Sequence, residues 1–202
     1  MPDARTHDII TIASAVVLAP LTQIAQVSAL GIGPFDAWPN SAWLVIAHVI
    51  SGVMFSPDLD LDSAIDNRWG IFFWIWRPYM WVVPHRSFWS HSLIFSPLLR
   101  MAYFYVVSLG IILGANWLLS QVGIVMPDYS RQLSRTISQV TADYPNASLA
   151  FVIGFCTGSA AHSIADWLVT SGKHILRSVG LQIKRDYRHH DRHMPRQRRA
   201  SR

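Results

Sequence analysis

The chain has 202 residues, 51% of them hydrophobic and only 14% charged, with a mean hydropathy of +0.25 and nine tryptophans. That length suits one domain, and that hydropathy is high for a soluble protein. Ten of the 17 Lys and Arg residues fall in Lys173–Arg202, so the basic pI of about 9.8 belongs to the tail, and the lone Cys156 excludes a disulfide framework.

A membrane helix needs about 20 mostly apolar residues. Four segments approach this in chain order. Ile9–Leu30 is interrupted by Pro20, and Ser41–Phe55 is short and contains His48. Met101–Leu119 carries no charge, and Ala147–Val169 is apolar apart from His162 and Asp166. The expected fold is an all-α polytopic membrane helical bundle of about four transmembrane helices. The rival is a soluble bundle with very hydrophobic core helices. Residues 1–183 form the membrane-embedded domain, and 184–202 form a basic cytoplasmic tail rich in Arg and His. Asp128–Asn146 is polar and reads as a loop, with a short helix around Ser130–Thr141.

Charge orients these spans. With four of them, both termini share one side with the Ser56–Ser90 loop, and that side holds fourteen Lys and Arg residues. The other side holds Arg131 and Arg135, while Arg100 stands at a helix entrance. The positive-inside rule therefore places both termini in the cytoplasm and the chain in the cell inner membrane. The leading stretch sets Asp3 and Asp8 against Arg5, unlike the basic n-region of a signal peptide, so the first span is expected to be retained. The aromatic stretch Trp69–Trp81 suits the headgroup zone.

This topology gathers ligand-type side chains at one depth. His7 and Asp8 precede the first span, and Asp58, Asp60 and Asp62 follow the second. His85 and His91 precede the third, and His162 and Asp166 lie near the inner end of the fourth. Each group has a plainer reading. His162 and Asp166, four apart on a helix, satisfy each other with one hydrogen bond, and an acidic turn explains Asp60 and Asp62. His85 and His91 can be structural residues at the interface. The spacing of Asp58, Asp60 and Asp62 opens like a calcium loop, but Ser63 and Trp69 stand where Gly and Glu are required. Ionisable groups within membrane helices are nevertheless costly and mark functional sites. Imidazole with carboxylate and no thiolate suits zinc first, with manganese or iron as alternatives. A divalent metal there would lower the pKa of bound water and polarise a phosphoryl or acyl oxygen. Arg86 is placed in sequence to hold an anionic oxygen, and Asp60 or Asp8 to act as base or support a ligand. His48 reads as structural or supporting.

Taken together, Thr6-His7-Asp8, Ser56-Pro57-Asp58-Leu59-Asp60, Arg68-Trp69-Gly70, Trp76-x-Pro78-Tyr79, His85-Arg86-Ser87-Phe88-x-Ser90-His91 and His162-x-x-x-Asp166 resemble a bacterial family of metal-binding membrane proteins of uncharacterised function. That family is similar to membrane-bound metal-dependent hydrolase-like proteins, themselves remote relatives of zinc-dependent phospholipase C and single-strand nucleases. The resemblance implies metal ligation by His7, Asp58, His85, His91, His162 and Asp166. Hydrolysis is implied only through the remoter relatives, whose own zinc-ligand pattern is not matched here.

The expected function is a membrane metal-dependent hydrolase of a phosphoester or lipid headgroup. Its rival is a non-catalytic membrane protein whose metal pins helix ends while the basic tail binds anionic lipid or a protein partner. Nucleic acid is the less favoured partner of that tail. A transporter is disfavoured because its ligands would sit at the midplane rather than at one face.

Overall fold

The computed structural model describes residues 4–57, 66–84 and 87–178. All regular structure among them is helical: α1 (Ala4–Leu30), α2 (Pro34–Met54), α3 (Asp66–Trp69), a 3-10 segment (Gly70–Trp76), α4 (Arg77–Val82), α5 (Phe88–His91), α6 (Phe95–Gln121), α7 (Tyr129–Asp143) and α8 (Pro145–Ser178). The expected all-α class is therefore observed. Three helices contain a stretch long and apolar enough to cross a membrane: Arg5–Leu30, Phe95–Gln121 and Pro145–Val169. The fourth expected span corresponds to α2, which is 21 residues long but diluted by Pro39, Asn40, Ser41, His48 and Ser51. It does not reach the hydropathy of the other three.

Helix boundaries follow local chemistry. Gly31 adopts φ 66 and ends α1, and the Ile32 amide returns to the Gln26 carbonyl. Pro34 then opens α2 with its fixed φ, and Asp36 faces the positive end of the helix. Gly123, at φ 78, closes α6: its amide bonds the Ser120 carbonyl, and the Ile124 amide bonds the Leu119 carbonyl. α1 starts earlier than the hydropathy pattern predicts, so His7 and Asp8 lie inside its first two turns rather than ahead of it. Likewise α8 continues past Val169, so Asp166 is a helix-interior residue.

α1, α2 and α8 form the tightly packed core. Across α1 and α2, Gln26 faces Ser41, Ser14 faces His48 and Thr11 faces Gly52, which is an antiparallel register. Across α2 and α8, Leu44 meets Gly154 and His48 meets Gly158, which is a parallel one. The glycines are obligatory. A Cβ on Gly154 would fall on the Leu44 carbonyl, and one on Gly158 on the His48 carbonyl. This is the small-xxx-small packing by which membrane helices bring backbones together.

Polar side chains sew the core at one end and at its middle. Gln26 donates to Ser41 Oγ at 2.9 Å and accepts from Asn40 at 3.1 Å, while Gln23 donates to the Pro34 carbonyl at 2.7 Å. Midway, His48 bonds Ser14 Oγ through Nε2 at 2.9 Å and Thr157 Oγ1 through Nδ1 at 3.0 Å. It is a buried strut joining three helices.

The segment after α2 folds beneath that helix. A helix leaves its last four carbonyls unsatisfied. Here the Arg68 guanidinium takes the Val53 carbonyl at 2.6 Å and the Trp69 indole takes the Met54 carbonyl at 2.9 Å. Phe55 anchors an aromatic cluster, with the rings of Trp69, Trp76, Phe104 and Phe155 all edge-on at 5.3–5.5 Å. The aromatic stretch expected at the headgroups thus splits in two. Phe73, Ile75, Trp76 and Tyr79 are buried, whereas Ile71, Phe72, Trp74 and Trp81 are exposed.

α7 matches the short helix expected within 128–146. Asp128 caps it, accepting from the Ser130 hydroxyl at 2.7 Å and the Arg131 amide at 3.0 Å. Those bonds, with Arg131 and Arg135 nearby, hold its carboxyl below the ordinary aspartate range. The cap is therefore present above the pH at which a free aspartate titrates, and it is lost as pH falls through the depressed value. An NMR titration of Asp128 should show this low midpoint, and Asp128→Ala should fray the first turn of α7 at neutral pH.

Candidate metal centre

His7, His162 and Asp166 come together although the first two are 155 positions apart in sequence. The α1–α2 hairpin returns the start of α1 to the α8 end that carries the other two. His162 and Asp166 are one helical turn apart on α8 and so share a face. Both imidazoles are buried, at 4% and 2% exposure, and their rings stack at 3.7 Å with 16° between planes. One ligand atom from each of the three residues lies within 4.8 Å of the others.

His7 Nε2 is 3.3 Å from Asp166 Oδ1, and His162 Nε2 is 3.7 Å from Asp166 Oδ2. Both exceed a good charge-assisted hydrogen bond of about 2.7–2.9 Å. Ligand atoms held about 2.0–2.1 Å from one tetrahedral ion would stand roughly 3.3–3.4 Å apart. The three side chains thus form a His-His-Asp cluster of metal-ligand type, each offering one ligand atom within 4.8 Å of the others, with the two imidazoles stacked face to face.

Asp8, the neighbour of His7, points elsewhere. It accepts from Arg68 Nη2 at 2.6 Å, and the same guanidinium caps α2 at Val53. That pair fastens the start of α1 to the end of α2. In the sequence Arg68 is legible only as part of a motif, and nothing in its spacing announces this contact. Gly154 and Gly158 do carry a signal, since Gly-x-x-x-Gly within an apolar stretch marks close helix contact, but ligand-type residues alone do not lead to it.

Of the other expected site residues, Asp58, Asp60, His85 and Arg86 lie outside the described residues. His91 closes α5, and its side chain is likewise outside them. The structure thus brings together three of the six expected ligands, from two of the expected chain regions.

Among the described residues, the helices and this cluster define an all-helical fold with membrane-compatible segments and a His-His-Asp site of metal-ligand type whose two histidines are buried. Residues 2–176 match the family described as uncharacterized metal-binding protein (DUF2227), and the chain belongs to that family. Neither a curated protein nor a solved structure matches it.

Proposed function

We propose that this is an integral membrane protein whose divalent metal centre, at the cytoplasmic ends of its helices, hydrolyses a phosphoester or lipid headgroup. The observation that carries the reading is the convergence of His7, His162 and Asp166 at one end of a membrane-compatible core. α2 is the fourth span: it runs antiparallel to α1 and parallel to α8, so inserting those two carries it through the same slab. The lysine and arginine asymmetry sets the orientation, with both termini and the central loop cytoplasmic at the inner membrane.

Asp58, His85 and His91 complete the ligand set. Six ligands exceed the four that close a structural zinc site, and suit two ions or one ion with a supporting shell. Zinc is the favoured metal, ahead of manganese or iron. When bound, it supplies Lewis acidity and a water of lowered pKa. Arg86 holds the anionic oxygen of the substrate, and Asp60 takes the proton from the attacking water. Asp8, committed to Arg68, positions His7 through the first turn of α1.

The test is turnover. Metal-replete protein in mixed micelles should cleave short-chain phospholipids or a chromogenic phosphodiester, lose activity to a chelator, and regain it with zinc. Arg86→Ala should lower turnover by about 10²–10³-fold if the guanidinium stabilises charge in the transition state. Zinc-loaded protein inert towards phosphoesters and acyl esters alike would refute the hydrolase reading.

The tail Lys184–Arg202 binds anionic lipid, gaining about 1 kcal/mol per basic residue near the surface. Deleting it should weaken cosedimentation with phosphatidylserine vesicles and leave metal content unchanged. An emptied site would instead mean that His189, His190 or His193 is a ligand.

A further inference from the structure

Arg100 is buried to 1% exposure, in the second turn of an apolar helix. A guanidinium is costly to desolvate and stays only where its fork of donors is used. Here Nη1 takes the carbonyl of Phe55, the residue that ends α2. Nη2 donates to Ser159 Oγ on α8 at 2.7 Å and to Ser96 Oγ at 2.9 Å, and Nε donates to the Ser96 carbonyl at 3.3 Å. Ser96 Oγ in turn donates to the Ser90 carbonyl at 2.6 Å, which ties in α5.

Each far endpoint of this network sits just ahead of a candidate ligand in the chain. Ser159 lies one helical turn before His162. Phe55 lies three residues before Asp58, and Ser90 immediately before His91. One cation therefore fastens three separate segments, each of which leads directly into a candidate ligand. Arg68 and Trp69 cap neighbouring carbonyls of α2, but neither reaches α8 by its hydrogen bonds.

We infer that Arg100 is the positioning residue of the metal centre, setting the ends of α2 and α5 against the His162 turn of α8; this rests on the metal reading above. Lysine keeps the charge but presents its three donors from a single atom, so it cannot span α2, α6 and α8 as the planar fork does. Supporting groups behind metal ligands typically change affinity by about 10–100-fold when replaced.

The experiment is a cobalt(II) titration of full-length protein in detergent, following both affinity and the d–d absorption that reports ligand geometry. Wild type is compared with Arg100→Lys, Ser159→Ala and His48→Gln. Arg100→Lys should weaken cobalt binding by about 10–100-fold and shift the absorption bands. Ser159→Ala, which removes one contact and preserves helix α8, should move both readouts in the same direction by less, and it carries the test if Arg100→Lys does not fold. His48→Gln breaks the strut to Ser14 and Thr157 without touching Arg100, Phe55, Ser90 or Ser159, so it should lower thermal stability and leave the cobalt spectrum unchanged. Wild-type affinity and bands in both Arg100→Lys and Ser159→Ala would overturn the inference. So would an equal loss in His48→Gln, which would reduce the effect to general destabilisation. Wild type that binds no cobalt would refute the metal reading itself.

Discussion

Gly158→Leu should separate α8 from α2 and unfold the core at a markedly lower temperature than wild type. Even alanine here meets the His48 carbonyl, and at Gly154 the Leu44 carbonyl. Overpacking typically costs about 1–3 kcal/mol. The obstacle in both cases is helix backbone rather than a flexible side-chain tip, which puts each alanine at the upper end of that range. The consequence extends to the site, because Gly158 lies one turn before His162 on the helix that also carries Asp166. Thermal unfolding in detergent by circular dichroism should therefore show Gly154→Ala and Gly158→Ala destabilised, with Gly158→Leu worst. Wild-type melting in all three would mean that α2 and α8 are not in backbone contact.

The second large effect concerns the metal itself. An ion that binds the folded chain at 100 times its dissociation constant stabilises it by about 2.7 kcal/mol. For a chain of this size that corresponds to a rise on the order of 5–10 °C in the melting temperature. Zinc added to chelated wild type should produce such a rise. His7→Ala, His162→Ala and Asp166→Ala should each abolish most of it, because each removes one of three converging ligand atoms. A variant that keeps the full shift would remove its residue from the ligand set.

How far the sequence foretells this arrangement depends on the range of each signal. The i,i+4 spacing of His162 and Asp166 and the charge-free run in α6 are local patterns, and both can be read directly. That His7 joins the α8 pair follows from topology, since the antiparallel α1–α2 hairpin returns the chain to the end where α1 starts. Hydropathy fails at α1 because His7 and Asp8 depress the average where the helix begins. It gives α2 a low score, because Ser41, His48 and Ser51 dilute the helix although their side chains are buried in the protein. The contacts of Asp8 with Arg68 and of Arg100 with Phe55 and Ser159 depend on which helix ends meet, and spacing alone does not encode that.

The central claim is tested most directly by elemental analysis of protein extracted in detergent without added metal, with His162→Ala and Arg100→Lys prepared in parallel. The account predicts at least one equivalent of a divalent metal, zinc foremost, in wild type, with almost none in His162→Ala and a reduced amount in Arg100→Lys. Wild type that carries no divalent metal, even after resupply, would contradict it and leave His7, His162 and Asp166 as a buried polar network between two helices.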